Sequence, residues 1–311
     1  MSALICGSLA YDTIMVFQDH FRHHILPDKV HMLNVSFLVP QMRREFGGCA
    51  GNISYNLKLL GGDPLPMATV GDDFDPYRRH FEACGIRLDC VTHIAGSYTA
   101  QAFITTDLSD NQITAFHPGA MMQSHVNHVR DVATASFGIV APDGREAMLQ
   151  HAREFAERGI PFIFDPGQAL PLFSGEEFRA FIEQATWVTV NDYECQLLME
   201  RTGWSEAQIA DRVQGFIVTR GAEGSLLHTR SGSRGIPAAP ASQVVDPTGC
   251  GDAYRAGLIF GLMRGMDLDL AARVASLMGA LKIAHAGTQN QRFDFAEFND
   301  RFRECYGTRL D

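Results

Sequence analysis

Lysine is the first scarcity. Only Lys29, Lys58 and Lys282 occur among 311 residues, and none follows a glycine. The G-x-x-x-x-G-K-[ST] phosphate loop is therefore absent, and with it the P-loop ATPases. No strict G-x-G-x-x-G follows a strand-like run, which speaks against a standard dinucleotide dehydrogenase. Gly138 to Gly144 lacks the G-x-S-x-G of a nucleophile elbow. Positive charge is short as well: 26 Lys and Arg face 36 Asp and Glu, a formal net charge of −10, and the basic residues are scattered. Nucleic acid and anionic membrane surfaces are unlikely partners for such a chain. None of the seven cysteines forms a C-x-x-C pair, so they read as small core or loop residues in a reducing compartment. Of twelve histidines only His20, His23 and His24 form a tight group, and a transition-metal site is not expected there. No apolar run approaches a membrane span, and Leu4-Ile5-Cys6 is too short for a signal h-region. The expectation is a soluble cytoplasmic chain. With 46% hydrophobic and 20% charged residues it has ample core material.

Low-complexity stretches, long linkers and repeats are also lacking. What is present from residue 137 onward is alternation. Apolar runs at 137–141, 161–164, 187–190 and 216–219 are separated by helix-forming segments at 145–158 and 192–201. Buried runs between helices imply a parallel sheet covered on both faces. The runs end in Pro142-Asp143, Asp165-Pro166-Gly167, Asn191-Asp192 and Arg220-Gly221, and the carboxyl edge of such a sheet is where ligands bind. The first third differs. Val30 to Val39 alternates, with Leu33, Val35, Phe37 and Val39 on one face. Tyr98 to Thr106 and Gln112 to His117 alternate too, joined by a turn-rich connector at 107–111. These segments predict antiparallel strands with one face free, forming a lid or a dimer interface.

The chemistry concentrates in Asp246-Pro247-Thr248-Gly249-Cys250-Gly251-Asp252, which precedes the almost uncharged run from Ala256 to Met263. A glycine turn opening a helix offers bare N–H groups to an anion, with the helix dipole behind them. Asp252 beside that anion makes sense if it faces a hydroxyl attacking a phosphate; a plain helix cap by Thr248 or Asp252 is the alternative. At a helix N-terminus Asp252 is expected to stay ionised and to be a weak base. A second glycine turn, Gly47-Gly48-Cys49-Ala50-Gly51-Asn52, opens another helix and allows close approach of a ligand. Asn52 there suits a hydroxyl or its own loop. Asp12, just after the first strand, suits a vicinal diol or a turn.

Taken together, these clusters resemble the signatures of the ribokinase (PfkB) family of carbohydrate and nucleoside kinases, over essentially the whole chain. The family's D-x-T-G-A-G-D is matched by Asp246 to Asp252 with Cys250 for alanine, and its G-G with a following Asn by Gly47, Gly48 and Asn52. N-x-x-E is matched by Asn191 and Glu194, and T-x-G-x-x-G by Thr219, Gly221 and Gly224. The resemblance implies an α/β, ribokinase-like fold: one domain over 1–311, with a mostly parallel central sheet flanked by helices on both faces. A small β-sheet lid would come from within about 12–39 and 98–117.

It implies Asp252 as catalytic base and Gly249, Cys250 and Gly251 as the anion hole. Asn191 and Glu194 would organise Mg2+ and the phosphates, mainly through water. Thr219, Gly221, Gly224 and Thr248 would bind ATP, and Asp12, Gly47, Gly48 and Asn52 the sugar hydroxyls. Some relatives use a monovalent cation such as K+, here expected near Asp246 and Thr248.

The layout resembles the nucleoside, adenosine-kinase-like branch. Met32, Phe37, Phe103 and Phe116 offer apolar surface in the lid, and Gln101, Gln112 and Asn34 offer amides for a base edge; packing of the lid or a homodimer through it would use the same aromatics. The expected activity is ATP-dependent phosphorylation of the 5′-hydroxyl of a ribonucleoside, purines foremost. A ribokinase- or fructokinase-like sugar kinase is the alternative, and a catalytically silent sensor on the same fold is the alternative of another class.

Overall fold

A computed structural model describes residues 2–25, 34–109 and 111–310. Its centre is a nine-stranded sheet. In chain order the strands are β1 (Ser2–Cys6), β4 (Pro64–Val70), β5 (Val91–His93), β8 (Ala135–Val140), β9 (Phe162–Phe164), β10 (Trp187–Asn191), β11 (Gly215–Thr219), β12 (Ser225–Thr229) and β13 (Gly232–Ile236). Their spatial order is β13-β12-β11-β10-β9-β8-β1-β4-β5. From β11 to β5 every neighbouring pair is parallel, and β12 and β13 close one edge as an antiparallel hairpin. All four apolar runs after residue 137 are therefore strands, with ends shifted by a residue or two.

Continuous apolar strands are needed because both faces are covered. In β1, Ala3 and Ile5 point into one core with α1 (Cys49–Leu59), α7 (Cys250–Met263), α8 (Leu268–Ile283) and α9 (Phe295–Tyr306). Leu4 and Cys6 point into the other, with α3 (Arg145–Glu157), α4 (Gly175–Gln184), α5 (Asp192–Thr202) and α6 (Glu206–Ala210). Fully buried side chains such as Phe155, Phe162 and Phe181 each contribute roughly 1.5–3 kcal/mol. Among the described residues no helix is long and apolar enough to cross a membrane.

The second sheet has four strands in the order β3-β2-β6-β7, with β2 (Ala10–Val16), β3 (Gln41–Gly47), β6 (Ala100–Thr106) and β7 (Gln112–His117). It departs from expectation in two ways. The β2–β6 pair is parallel, while β2–β3 and β6–β7 are antiparallel. Over its described part, 34–39, the strand expected at Val30 to Val39 is not formed. Residues 30–33, Met32 included, lie outside the described residues; 34–40, with Asn34, are irregular, and the strand begins at Gln41. Pro40 offers no N–H to a ladder, and Phe37 packs between Phe17 and Phe21 instead. The foot of this sheet rests on the body through Tyr11, which meets Tyr77 of α2 (Asp75–Ala83) and Phe46.

Candidate phosphoryl-transfer site

The turn into α7 is held from behind. Asp246 accepts from the Thr248 and Gly287 N–H groups, each at 2.9 Å. Burial pushes its carboxyl up, but those N–H bonds outweigh it and hold the group below its usual value. Gly249 then takes a left-handed conformation, φ 78°, and caps the helix. The N–H groups of Cys250, Gly251 and Asp252 form the first turn, which lacks carbonyls four residues back; that of Cys250 reaches the Pro247 carbonyl at 3.2 Å. Gly251 is exposed, so the cradle is open to a ligand.

Asp252 lies on the inner side of that turn. Asn52, in the first turn of α1, donates from Nδ2 to Asp252 Oδ2 at 2.8 Å. Gln289 donates to Asn52 Oδ1 at 3.0 Å and to the Tyr77 hydroxyl at 2.7 Å; that hydroxyl donates to the Gly47 carbonyl. The two glycine turns are thus joined by one amide-and-phenol network. Burial drives the Asp252 carboxyl up to about 7; the Asn52 N–H pulls it back, Asp165 adds to the rise and Arg255 opposes it. The expectation of a weak base is corrected here, because desolvation outweighs the helix terminus. A carboxylate poised near 7 is a competent base at neutral pH.

One helical turn below, Arg255 makes a two-pronged pair with Asp165, at the end of β9, at 2.9 and 3.0 Å; both side chains are buried. Arg255 also lies 3.9 Å from Glu194. Asn191 and Glu194 form a reciprocal capping box at the start of α5, each accepting the other's backbone N–H at 2.8 and 2.7 Å. Their oxygens already serve the helix, which suits contact with a magnesium ion through water. Among the described residues no trio of His, Cys, Asp or Glu forms a ready metal cage.

Beside the cradle opens a cavity of about 520 Å³ lined by Thr219, Gly221, Gly224, Cys250, Gly251 and a run of small residues from Ala238 to Ala241. Thr248 is exposed on the loop alongside. Burial lifts the Cys250 thiol to about 11.

On the lid side, Asp12 leans on Gly47, where any Cβ would overlap its carboxylate, and Gly48 caps α1. Burial first, then Glu45 and Asp246, raise Asp12 to about 6. Register puts Asp12 opposite Ala102, and Ala102 opposite Phe116. Phe116 therefore shares the face of Asp12, half exposed. The other lid amides are not brought there. Gln101 pairs with Tyr11, on the opposite face, and donates to Asp73 at 2.8 Å; Phe103 follows it. Gln112 shares the right face but lies across from Val16, four residues or about 13 Å along the strand.

Sequence reasoning missed Arg255, Gln289, Tyr77 and Lys282. Arg255 carried a signal: it is the single charge between Ala253 and Met263. Gln289 had none beyond an amide-rich stretch.

The profile described as pfkB family carbohydrate kinase matches residues 11–294. The nucleoside kinase of Burkholderia thailandensis, solved in complex with inosine, is 54% identical with a TM-score of 0.90, over 99% of both chains. The nucleoside kinase of Methanocaldococcus jannaschii is 29% identical over 82% of this chain and 85% of its own length. Bacillus subtilis ribokinase is 25% identical over 78% of this chain and 83% of its own.

Proposed function

Since the chain belongs to the pfkB carbohydrate kinase family, and is a phosphotransferase acting on a hydroxyl group, we propose that its acceptor is a ribonucleoside, purines foremost. ATP would supply the phosphoryl group to the 5′-hydroxyl. The observation that carries this reading is the shared lid face: a carboxylate suited to a ribose diol, Asp12, and an aromatic ring, Phe116, stand on the two strands that flank β6. A nucleoside offers a diol to the first and a flat base to the second. Similarity to a nucleoside kinase solved with inosine supports it, as does the structure of that kinase with ADP and inosine, 56% identical over 99% of this chain.

In this reading Asp12 accepts hydrogen bonds from the 2′- and 3′-hydroxyls. Gly47 and Gly48 let the sugar approach the backbone, and Phe116 lies under the base. Asp252 accepts the proton of the 5′-hydroxyl as that oxygen attacks the γ-phosphorus. Asn52 holds Asp252 at the attacking oxygen. The N–H groups of Gly249, Cys250 and Gly251 receive the charge spread over the transferring group; one such donor in a dry site is worth about 3–4 kcal/mol. The cavity beside the cradle, with Thr219, Gly221 and Gly224, takes the adenine end of ATP, and Thr248 borders it. Magnesium, held through water by Asn191 and Glu194, would neutralise phosphate charge.

The test is ADP release with Mg-ATP against a panel of nucleosides and free sugars. Turnover on inosine, adenosine or guanosine with none on ribose or fructose is expected. Turnover on free sugars alone would overturn the nucleoside reading and leave the transfer chemistry standing.

A further inference from the structure

α8 ends in a buried cation. Lys282 is fully buried, and its Nζ donates to the main-chain carbonyls of Asp246 at 2.8 Å and His285 at 3.1 Å. No ion pair accompanies it among the described residues, since the Asp246 carboxylate is committed to two N–H groups. Burying an ammonium against neutral carbonyls is costly, and removing it would leave those carbonyls without a donor.

What the ammonium joins explains its retention. Asp246 begins the turn that leads into the Gly249–Gly251 cradle. His285 begins the loop whose Thr288 donates to the Phe46 carbonyl at 2.5 Å and whose Gln289 holds Asn52. Asp246, Cys250 and Asp252 all feel its charge. A K+ ion seated on the Asp246 and His285 carbonyls would have to displace the ammonium already bonded to them, and the Asp246 carboxylate is committed to two N–H groups.

We propose that Lys282 is a built-in monovalent cation: a positioning residue whose ammonium braces the Asp246 and His285 loops behind the anion cradle, so that the protein works without added K+. The inference rests on the kinase reading of the cradle.

The test compares wild type, Lys282→Ala and Lys282→Met in K+, NH4+ and tetramethylammonium buffers at one ionic strength. Two readouts are taken: ADP release with inosine, and ADP affinity by calorimetry, which does not depend on the acceptor. Wild type should respond to none of the ions. In tetramethylammonium, Lys282→Ala should lose about 10–100-fold in kcat, the worth of charge-assisted hydrogen bonds, with a smaller change in KM. Millimolar K+ or NH4+ should restore most of that loss, because truncation leaves a cation-sized space between the carbonyls. Lys282→Met fills that space and should not be rescued. Activation of wild type by K+, unimpaired turnover in Lys282→Ala, or a loss that no cation repairs would each overturn the proposal. If Lys282→Ala does not fold, the wild-type response to K+ decides. If inosine is not an acceptor, ADP affinity carries the same comparison, and failure of the nucleoside reading stays separate from failure of this one.

Discussion

Replacing Asp252 by Asn should make the protein more stable and nearly inactive at the same time. The carboxyl titrates near 7 in the folded chain against an ordinary 3.8. Between those values the folded chain holds a proton that the unfolded chain has released, so stability falls as pH rises through the window. The full difference is bounded at about 4 kcal/mol, at about 1.36 kcal/mol per pH unit. Asp252 is partly accessible from the cleft, and solvent screening leaves roughly 1–3 kcal/mol of this. Asn keeps the shape, accepts the Asn52 hydrogen bond and carries no charge. The variant should therefore melt about 2–5 °C higher than wild type at pH 8.5, and the gap should close as pH is lowered towards 4. Over the same preparations kcat should drop about 10²–10⁴-fold, the usual weight of a positioned base. Thermal melts across pH, paired with ADP release at pH 8, read both effects. A variant that melts at or below wild type at pH 8.5 would show that the carboxylate is not desolvated. One that keeps kcat within tenfold would remove Asp252 from the chemistry.

Other outcomes follow from neighbouring contacts. Asn52→Ala removes the N–H that favours ionised Asp252, so the acid limb of kcat/KM should move above about 7; a pH profile with an unmoved limb would refute that link. Phe116→Ala should raise KM for inosine about tenfold and leave KM for ATP unchanged, and steady-state kinetics with each substrate varied would reveal the reverse. Cys250, lifted to about 11 by burial, should stay a thiol, so iodoacetamide at pH 7 should leave activity intact. Inactivation prevented by ADP would contradict that.

Much of this was legible because it rests on local rules. The strands announced themselves as apolar runs, and the two glycine turns as anion-facing helix starts. Asn191 and Glu194 could be found by spacing, since a capping box is written in four consecutive residues. What stayed hidden depends on contacts distant in sequence. Gln289 reaches Asn52 across 237 positions, and Arg255 reaches Asp165 across 90. The facing of Gln101 depended on register, and a one-residue difference in pairing sends a side chain to the other face. Over 34–39 the expected strand failed because alternation alone does not provide a ladder partner.

The loop from Gly287 to Gln291 fastens to both halves of the site. Thr288 and Asn290 bond the lid strand β3 at Phe46 and Glu45, while Gln289 bonds Asn52 in the body. Lid strand and Asn52 therefore share one hydrogen-bonded crosspiece. A lid that shifts over an acceptor must either drag this crosspiece, and Asn52 with it, or break its bonds. Were the sheet to shift over an acceptor, the movement would reach Asn52, and through its hydrogen bond Asp252, along these same bonds.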